Sequence, residues 1–584
     1  MRVRIVVLVS VLVATLATPV RGTDLHIDRV AGEDRIGTAI AISASREAAD
    51  VALLASADTF ADALAGAPLA AHRQAPLLLT HTDRLDERVS DELGRLGVET
   101  VVLLGGTASL GPQVEKALAA YEVERLHGPD RAETAVRIAR QLPQPSRAFV
   151  VGAFSFADAL AVGAVAAMTA DPILLALPGN TGAVVDYLDE QSVDEIVVIG
   201  GPSVISEGDM DTLRADGRSV TRVAGADRYL TAVEVVELAL AAGADSNEVW
   251  IADGNNFPDS LAAAPAVARS GGLQLMMDGR NPWTTDAAAT RLRQLSPARV
   301  TIVGGPATVS DAAESQVGAI VHGPELPRGG HAIYPKHRLV AFYGNHSSAA
   351  MGVLGEQPPD QAYARLWSQA APYEAGGRPL LPTFELIVSV ATAGPGPDGD
   401  YSAPSTYEQI EPWLQAARRD GVYLLLDLQP GRTDFVTEAK KYERLLREPD
   451  VGLALDPEWR MGPNEVPGQS VGSVHASEVN AVAAWLADIV RQEALPQKLL
   501  VVHQFQLRMI QDRHLLDDHD ELALTIHMDG HGGRSQKLAT YGALTRDPGP
   551  WRMGFKLFYD EDSNVFAPAD VLRLSPEVFF VSYQ

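Results

Sequence analysis

The residues best equipped for chemistry lie in the second half of this 584-residue chain, at the ends of apolar runs. One run leads into Asp456-Pro-Glu458-Trp459. Another carries His503 and Gln504, the next His527 and Asp529, and the next Lys556, Tyr559 and Asp560. Asp427 and Gln429 close a further run, Tyr343-Gly-Asn345-His346 closes the first, and Glu385 sits early in the second. Carboxylates in this number can supply an acid and a base or nucleophile on either side of a glycosidic bond. In that reading Glu458 is the general acid, Asp456 orients it and shifts its pKa, and Asp529 or Asp427 is the second carboxylate. His503, His527, Lys556, Tyr559, Glu385, Trp459 and Asn345 are the candidate ligand contacts, and Trp459 is suited to stacking on a sugar face.

Two other readings stay open. His503, His527 and Asp529 could form a metal site with Asp456 as base, for instance to remove an acetyl group from a sugar. No close His-x-His or His-Glu-x-x-His pairing accompanies them. The region could also bind a glycan without cutting it. The primary expectation carries no cofactor and no metal.

Such residues need a scaffold. Eight strand-like segments follow residue 337: 338–343, 383–389, 423–428, 451–456, 498–505, 522–528, 553–558 and 578–583. Helix-like stretches lie between them, and the count and size fit a (β/α)8 barrel over 338–584, whose active sites lie at the C-terminal strand ends. Alternation with period two puts Asp456 with Glu458, His527 with Asp529, and Asp427 with Gln429 on one side. The Asp-x-Glu at 456–458 is similar to the pattern of chitinase-like and lysozyme-like barrel hydrolases, which implies a Glu acid tuned by the Asp. The region with Phe342-Tyr-Gly-Asn-His346 and Val501-Val-His-Gln-Phe505 also resembles an uncharacterised family of exported bacterial barrel proteins. That likeness implies no activity.

The first half repeats itself, with a period too long for solenoid turns. Arg29-Val-Ala-Gly-Glu-Asp-Arg35 returns as Arg125-Leu-His-Gly-Pro-Asp-Arg131 and as Arg222-Val-Ala-Gly-Ala-Asp-Arg228. Each copy precedes a helix-like run, and its Asp suits an N-cap. A second motif follows at Phe60-Ala-Asp62, Phe156-Ala-Asp158 and Phe257-Pro-Asp259, then an apolar strand stopped by Gly105-Gly106, Gly200-Gly201 or Gly304-Gly305. Continuous apolar strands alternating with helices mean parallel sheets buried on both faces. The expectation is three tandem Rossmann- or Toprim-like α/β units at 25–123, 124–220 and 221–325, a linker at 326–337, and then the barrel. Ile320-Val-His-Gly-Pro-Glu325 reads as a fourth copy that stops, and its strand could complete the third unit if each unit borrows from the next.

These motifs resemble the cell-wall-binding repeat 2 family. The resemblance implies a pseudo-threefold trio that holds an exported protein on a Gram-positive wall through an anionic polymer, without catalysis. Arg29, Arg35, Arg125, Arg131, Arg222 and Arg228 are the candidate polymer contacts, since a guanidinium fork suits phosphate or carboxylate. The opposing reading has them tie the trio together. Asp62, Asp158 and Asp259 read as caps or inter-repeat contacts, and the glycine pairs as tight turns. The third repeat departs from the pattern at Ser260 and at Leu273-Gln-Leu-Met-Met277, the second at Ala132.

Composition narrows the partners. A net charge of −27 without a basic run excludes nucleic acid. The absence of cysteine excludes disulfides and thiolate sites. Arg2 and Arg4 before the apolar run 5–17, with Val20 and Gly22 preceding a cut before Thr23, read as a secretion signal over 1–22. After its removal no stable membrane insertion is expected, and the protein would sit at the cell surface with a wall polymer and a glycan as partners.

Overall fold

The computed structural model describes residues 25–59, 63–256, 258–547 and 549–584, so the 1–22 signal reading and Phe60, Ala61, Asp62 and Phe257 lie outside the described residues. The first half contains three four-stranded parallel sheets. The second half contains a closed barrel of eight parallel strands.

The repeated Gly-x-Asp-Arg-x-x-Thr stretch is a helix entry. Asp34, Asp130 and Asp227 cap the helices Arg35–Ser43, Arg131–Ala139 and Arg228–Ala241, accepting first-turn backbone N–H groups at 2.8–2.9 Å. Thr38, Thr134 and Thr231 reach back to accept the N–H of Gly32, Gly128 and Gly225 at 3.2, 3.0 and 3.0 Å. The backbone of each glycine lies so close to its helix that a Cβ would fall within 2.4 Å of it. Any other residue would push the helix away.

Each sheet takes its last strand from the next repeat. Glu122–Leu126, which opens the second repeat, pairs with Thr100–Leu104 of the first. Ser219–Val223, which opens the third, pairs with Glu195–Ile199 of the second. The third sheet does not use the fourth copy expected at Ile320. Residues Asp311–His322 are helix, and the strand beside Arg299–Val303 is His26–Val30, which opens the first repeat. The trio is therefore a ring closed by its own first strand. The correction has a plain cause: the run through Ile320 and Val321 continues an amphipathic helix capped by Ser310, whose Oγ accepts from Ala313 N at 3.1 Å.

The first arginine of each motif fastens the borrowed strand. Arg125, Arg222 and Arg29 donate to the carbonyl oxygens of Gly105, Gly200 and Gly304 at 2.9, 2.7 and 2.8 Å. These glycines have φ near 110°, which makes the pairs strand-ending turns. At the centre, the helices Gly66–His72, Phe156–Thr169 and Pro258–Ser270 pack on one another. Gly163 allows that approach, since a Cβ there would lie 3.1 Å from Ala264 and 3.9 Å from Ala67. The two departures in the third repeat satisfy each other: buried Gln274 donates to Ser260 Oγ at 2.6 Å.

The barrel strands are Arg338–Gly344, Leu380–Ala391, Tyr423–Leu428, Val451–Leu455, Lys498–Gln504, Leu522–Met528, Arg552–Leu557 and Val578–Tyr583. A short antiparallel strand, Ser402–Pro404, is added to the second. The connecting segment plugs the barrel's lower end. Leu326, Ile333 and Tyr334 join Leu339, Leu381, Leu425 and Phe580 in one apolar cluster. Gln497 Oε1 accepts the N–H groups of Ile333 and Tyr334, both at 2.9 Å. With its floor packed by this segment, the barrel offers its polar residues at the strand C-termini.

Arg29→Ala removes charge-assisted hydrogen bonds to Gly304 O and Val309 O, the latter at 2.7 Å, from the ring's closing contact. The expected loss is about 1.5–3 kcal/mol. Hydrogen exchange should show weaker protection in Arg299–Val303 and unchanged protection in Tyr423–Leu428. Equal protection in both variants would mean that the closure does not depend on this arginine.

Candidate functional site

A cavity of about 650 Å³ opens at the C-terminal ends of the barrel strands. Glu458, Asp529, Lys556 and Trp459 line it, together with Tyr343 and Gln429. Beneath these lie Glu385, Asp427, Asp456, His503 and His527, all at most 1% exposed.

His503 is the hinge of the buried set. Its Nδ1 donates to Asp529 Oδ2 at 2.7 Å and its Nε2 to Glu385 Oε1 at 3.0 Å. Burial opposes its charge, but Asp529 and Glu385 outweigh burial and keep the imidazole protonated well above its ordinary range. Lys556 Nζ donates to the same Asp529 Oδ2 at 3.2 Å and lies 3.4 Å from the Tyr343 ring centroid, a cation–π contact. Burial alone would raise Asp529, yet Lys556 and His503 hold its carboxyl well below the usual carboxylate range. Asp529 is thus a fixed anion. Both cations hold Oδ2, which leaves Oδ1 for the cavity.

The other carboxyls go the opposite way. Burial, then the Asp529 charge, push Glu458 up to about 7. Burial and Glu458 hold Asp456 well above its ordinary value. Burial raises Asp427 to about 6, against the pull of His503, and Tyr343 Oη donates to it at 3.0 Å. Burial and the neighbouring His503 charge keep His527 neutral, with its Nε2 2.7 Å from Ser582 Oγ. Two environments, at the ends of the fourth and sixth barrel strands, therefore separate a Glu458 whose carboxyl is raised from an ionised Asp529. Below them, Lys537 Nζ donates to the carbonyls of Gly530 and Lys556, both at 2.8 Å, and ties the two strand ends together.

Glu458 reaches the mouth from a 3-10 turn, Pro457–Trp459, so the strand alternation expected to align it with Asp456 stops at Asp456. Asp456 lies beneath, and the largest influences on Glu458 are burial and Asp529 rather than Asp456. Trp459 is half-buried beside Glu458 and also borders a second cavity of about 210 Å³ with Gly468 and Gln469. Of the expected contacts, Lys556 and Trp459 line the cavity, Glu385, His503 and His527 lie beneath it, and Tyr559 and Asn345 stand apart. Tyr559 Oη donates to Gln369 at 2.9 Å and its ring stacks on Tyr583. Asn345 is buried in its own loop, donating to Ile387 O at 2.8 Å and accepting from Ser347. Residues that sequence reasoning passed over include Tyr343, marked only by its place at the first strand's end. Phe505, His531 and Phe558 follow strand ends, where periodicity carries no signal.

In the repeats, Arg35, Arg131 and Arg228 donate to the carbonyls of Ala57, Ala153 and Gly254 at 2.8, 2.8 and 2.9 Å. Arg35 also acts on Asp259 of the third repeat, and Arg228 on Asp158 of the second. Both aspartates are pushed up by burial and lie across a seam between repeats. Residues 29–115, 125–209 and 222–314 match the model of Cell wall binding domain 2 (CWB2). The three N-terminal repeats belong to that family. The chain is 29% identical over 270 residues to N-acetylmuramoyl-L-alanine amidase LytC of Bacillus subtilis (strain 168), covering 46% of this chain and 53% of that protein. It is 30% identical over 245 residues to the amidase enhancer of the same organism, covering 41% and 33%. The chain thus spans about half, and about a third, of these two relatives. Cwp6 from Clostridium difficile shares the fold at a TM-score of 0.50, with 20% identity over 66% of each chain.

The CWB2 repeats associate the chain with the cell wall. Among the described residues no helix is long and apolar enough to cross a membrane.

The raised Glu458 gives a pH signature. Its folded-state pKa of about 7 exceeds that of an unfolded glutamate, so its stabilising contribution is complete at acid pH and is lost as pH rises through about 7. Glu458→Gln cannot ionise. Its melting temperature should exceed that of the unmodified protein by about 2 °C or more near pH 8 and match it near pH 4. Thermal unfolding at both values checks this, and a pH-independent difference would count against the raised pKa.

Proposed function

We propose that the protein is exported, is held non-covalently on an anionic wall polymer by its three CWB2 repeats, and hydrolyses a glycan in the barrel mouth. The observation that carries the hydrolase reading is the split between Glu458, pushed up to about 7, and Asp529, held ionised, both in the lining of one cavity. A neutral Glu458 donates its proton to the leaving oxygen. The Asp529 carboxylate faces the developing oxocarbenium charge, as nucleophile or as the base for a water. His503 and Lys556 keep Asp529 anionic and fix its position. Asp427 and Asp456 form the buried acidic floor, and Trp459 offers a stacking face for a sugar. Cell-wall binding by the repeats and similarity to an amidase and an amidase enhancer support the wall as the place of action.

A metal-dependent deacetylase is the second reading. Asp456, His503 and Asp529 have ligand atoms within 4.8 Å of one another, as do Glu385, His503 and His527. Against it, each His503 nitrogen already lies at hydrogen-bond distance from a carboxylate, 2.7 Å from Asp529 Oδ2 and 3.0 Å from Glu385 Oε1, so an ion would have to displace one of these contacts. A barrel that binds glycan without cutting it is the third.

Release of soluble sugars from purified walls by the full chain should fall at least about a hundredfold in Glu458→Gln, the usual size of a lost general acid. It should also decline as the pH rises through about 7, where Glu458 loses its proton. Undiminished release in Glu458→Gln would remove this residue as the acid, and loss of activity under chelation would favour the deacetylase. Retention on walls should disappear once their anionic polymers are stripped.

A further inference from the structure

The six arginines of the repeat motif are committed to carbonyl oxygens, and each repeat spends its pair in the same way. A ligand-binding cation should therefore be sought where the repeats differ. One place stands out. A cleft of about 470 Å³ lies on the seam between the first and second repeats. Its walls carry Arg125 and His127 from the borrowed strand and its end, and Arg137 and Arg140 from the helix Arg131–Ala139 and its C-cap. Gln141 adds a side-chain amide.

Counting from Gly32, Gly128 and Gly225, the positions of Arg137 and Arg140 hold Ala41 and Ala44 in the first repeat, and Glu234 and Glu237 in the third. The position of His127 holds Ala31 and Ala224. The fold does not require these cations, because the other two seams are built without them. Arg140 leans on Glu190 at 2.7 Å and Arg125 on Glu115 at 2.8 Å, so both guanidiniums are held in place at the rim. Arg137 is exposed and has no hydrogen bond or ion pair among the described residues. On a chain of net charge −27, a recess with an uncommitted guanidinium between two oriented ones is a local reversal of sign.

We propose that this cleft holds an oxyanion of the wall polymer, a phosphodiester or a carboxylate, and that the second repeat supplies the main anionic contact of the trio. Arg137 makes the direct contact through its fork, with Arg125 and Arg140 narrowing the recess around it. The seam matters because the strand exchange brings the two sides together. Arg125 rides on a strand of the first sheet, while Arg137 sits on a helix of the second repeat. The inference rests on the wall-binding reading and assigns it a site.

Calorimetric titration of the full chain with poly(glycerol phosphate), with oligogalacturonate of matched charge, and with neutral dextran tests it. The unmodified protein should bind one of the two anions, which identifies the group, and should not bind dextran. Arg137→Glu should weaken that binding about tenfold or more, and Arg137→Lys should retain most of it. Ala44→Glu places a carboxylate at the rim position of the first repeat that matches Arg140, a change of one charge against two in Arg137→Glu, and should leave binding unchanged. Unaltered affinity in Arg137→Glu overturns the site, as does an equal loss in Ala44→Glu, which would make the effect one of overall charge. Sedimentation with purified walls runs in parallel. A chain that sediments yet ignores Arg137→Glu loses only this site, whereas an unmodified chain that fails to sediment loses the wall-binding reading too.

Discussion

The pairing of His26–Val30 with Arg299–Val303 is the contact on which the first half depends. Each repeat keeps three of its four strands in its own sheet and leaves a parallel edge there unpaired. Borrowing the next repeat's opening strand covers that edge, but a linear array would leave the last unit open. Returning the first strand to the third sheet removes the problem and forces the units into a ring of three. The arginines follow from this. A guanidinium on each borrowed strand reaches the carbonyl that the glycine turn exposes, a group that would otherwise be costly to leave unpaired near the core. The motif that looked most like a ligand signature is largely the hardware of strand exchange.

The barrel solves a different problem, that of burying several carboxylates together. Two cations, His503 and Lys556, converge on one oxygen of Asp529. Their charge stabilises that group and leaves the remaining acids undercompensated, so Glu458, Asp456 and Asp427 rise while Asp529 falls. The asymmetry comes from where the cations sit rather than from any difference between the acids themselves. The packed floor beneath the site, closed by the connecting segment, keeps water to the mouth and strengthens each of these interactions.

Much of the architecture was legible from residue order. All eight barrel strands fall within a few residues of their expected spans because each is a continuous apolar run between turn residues. The polar residues at their ends do gather into one mouth, since parallel strands deliver their C-termini to the same side. The Asp N-caps were legible for the same local reason. Tyr559 and Asn345 were not separable from the rest, because a strand end says which side of the barrel a residue is on but not which loop its side chain will satisfy.

By itself, the sequence determined three repeats, their helix entries, the count of barrel strands and the chemical types at the mouth, all of which depend on neighbours a few residues apart. Tertiary structure alone decided which strand closes the third sheet, which acid is ionised and which arginines are already engaged. Those outcomes depend on groups brought together from distant parts of the chain: Arg29 with Gly304, His503 with Glu385, and Arg137 across a seam from Arg125. Charge and hydrogen bonding act over a few ångströms of space, and sequence separation carries no record of that distance.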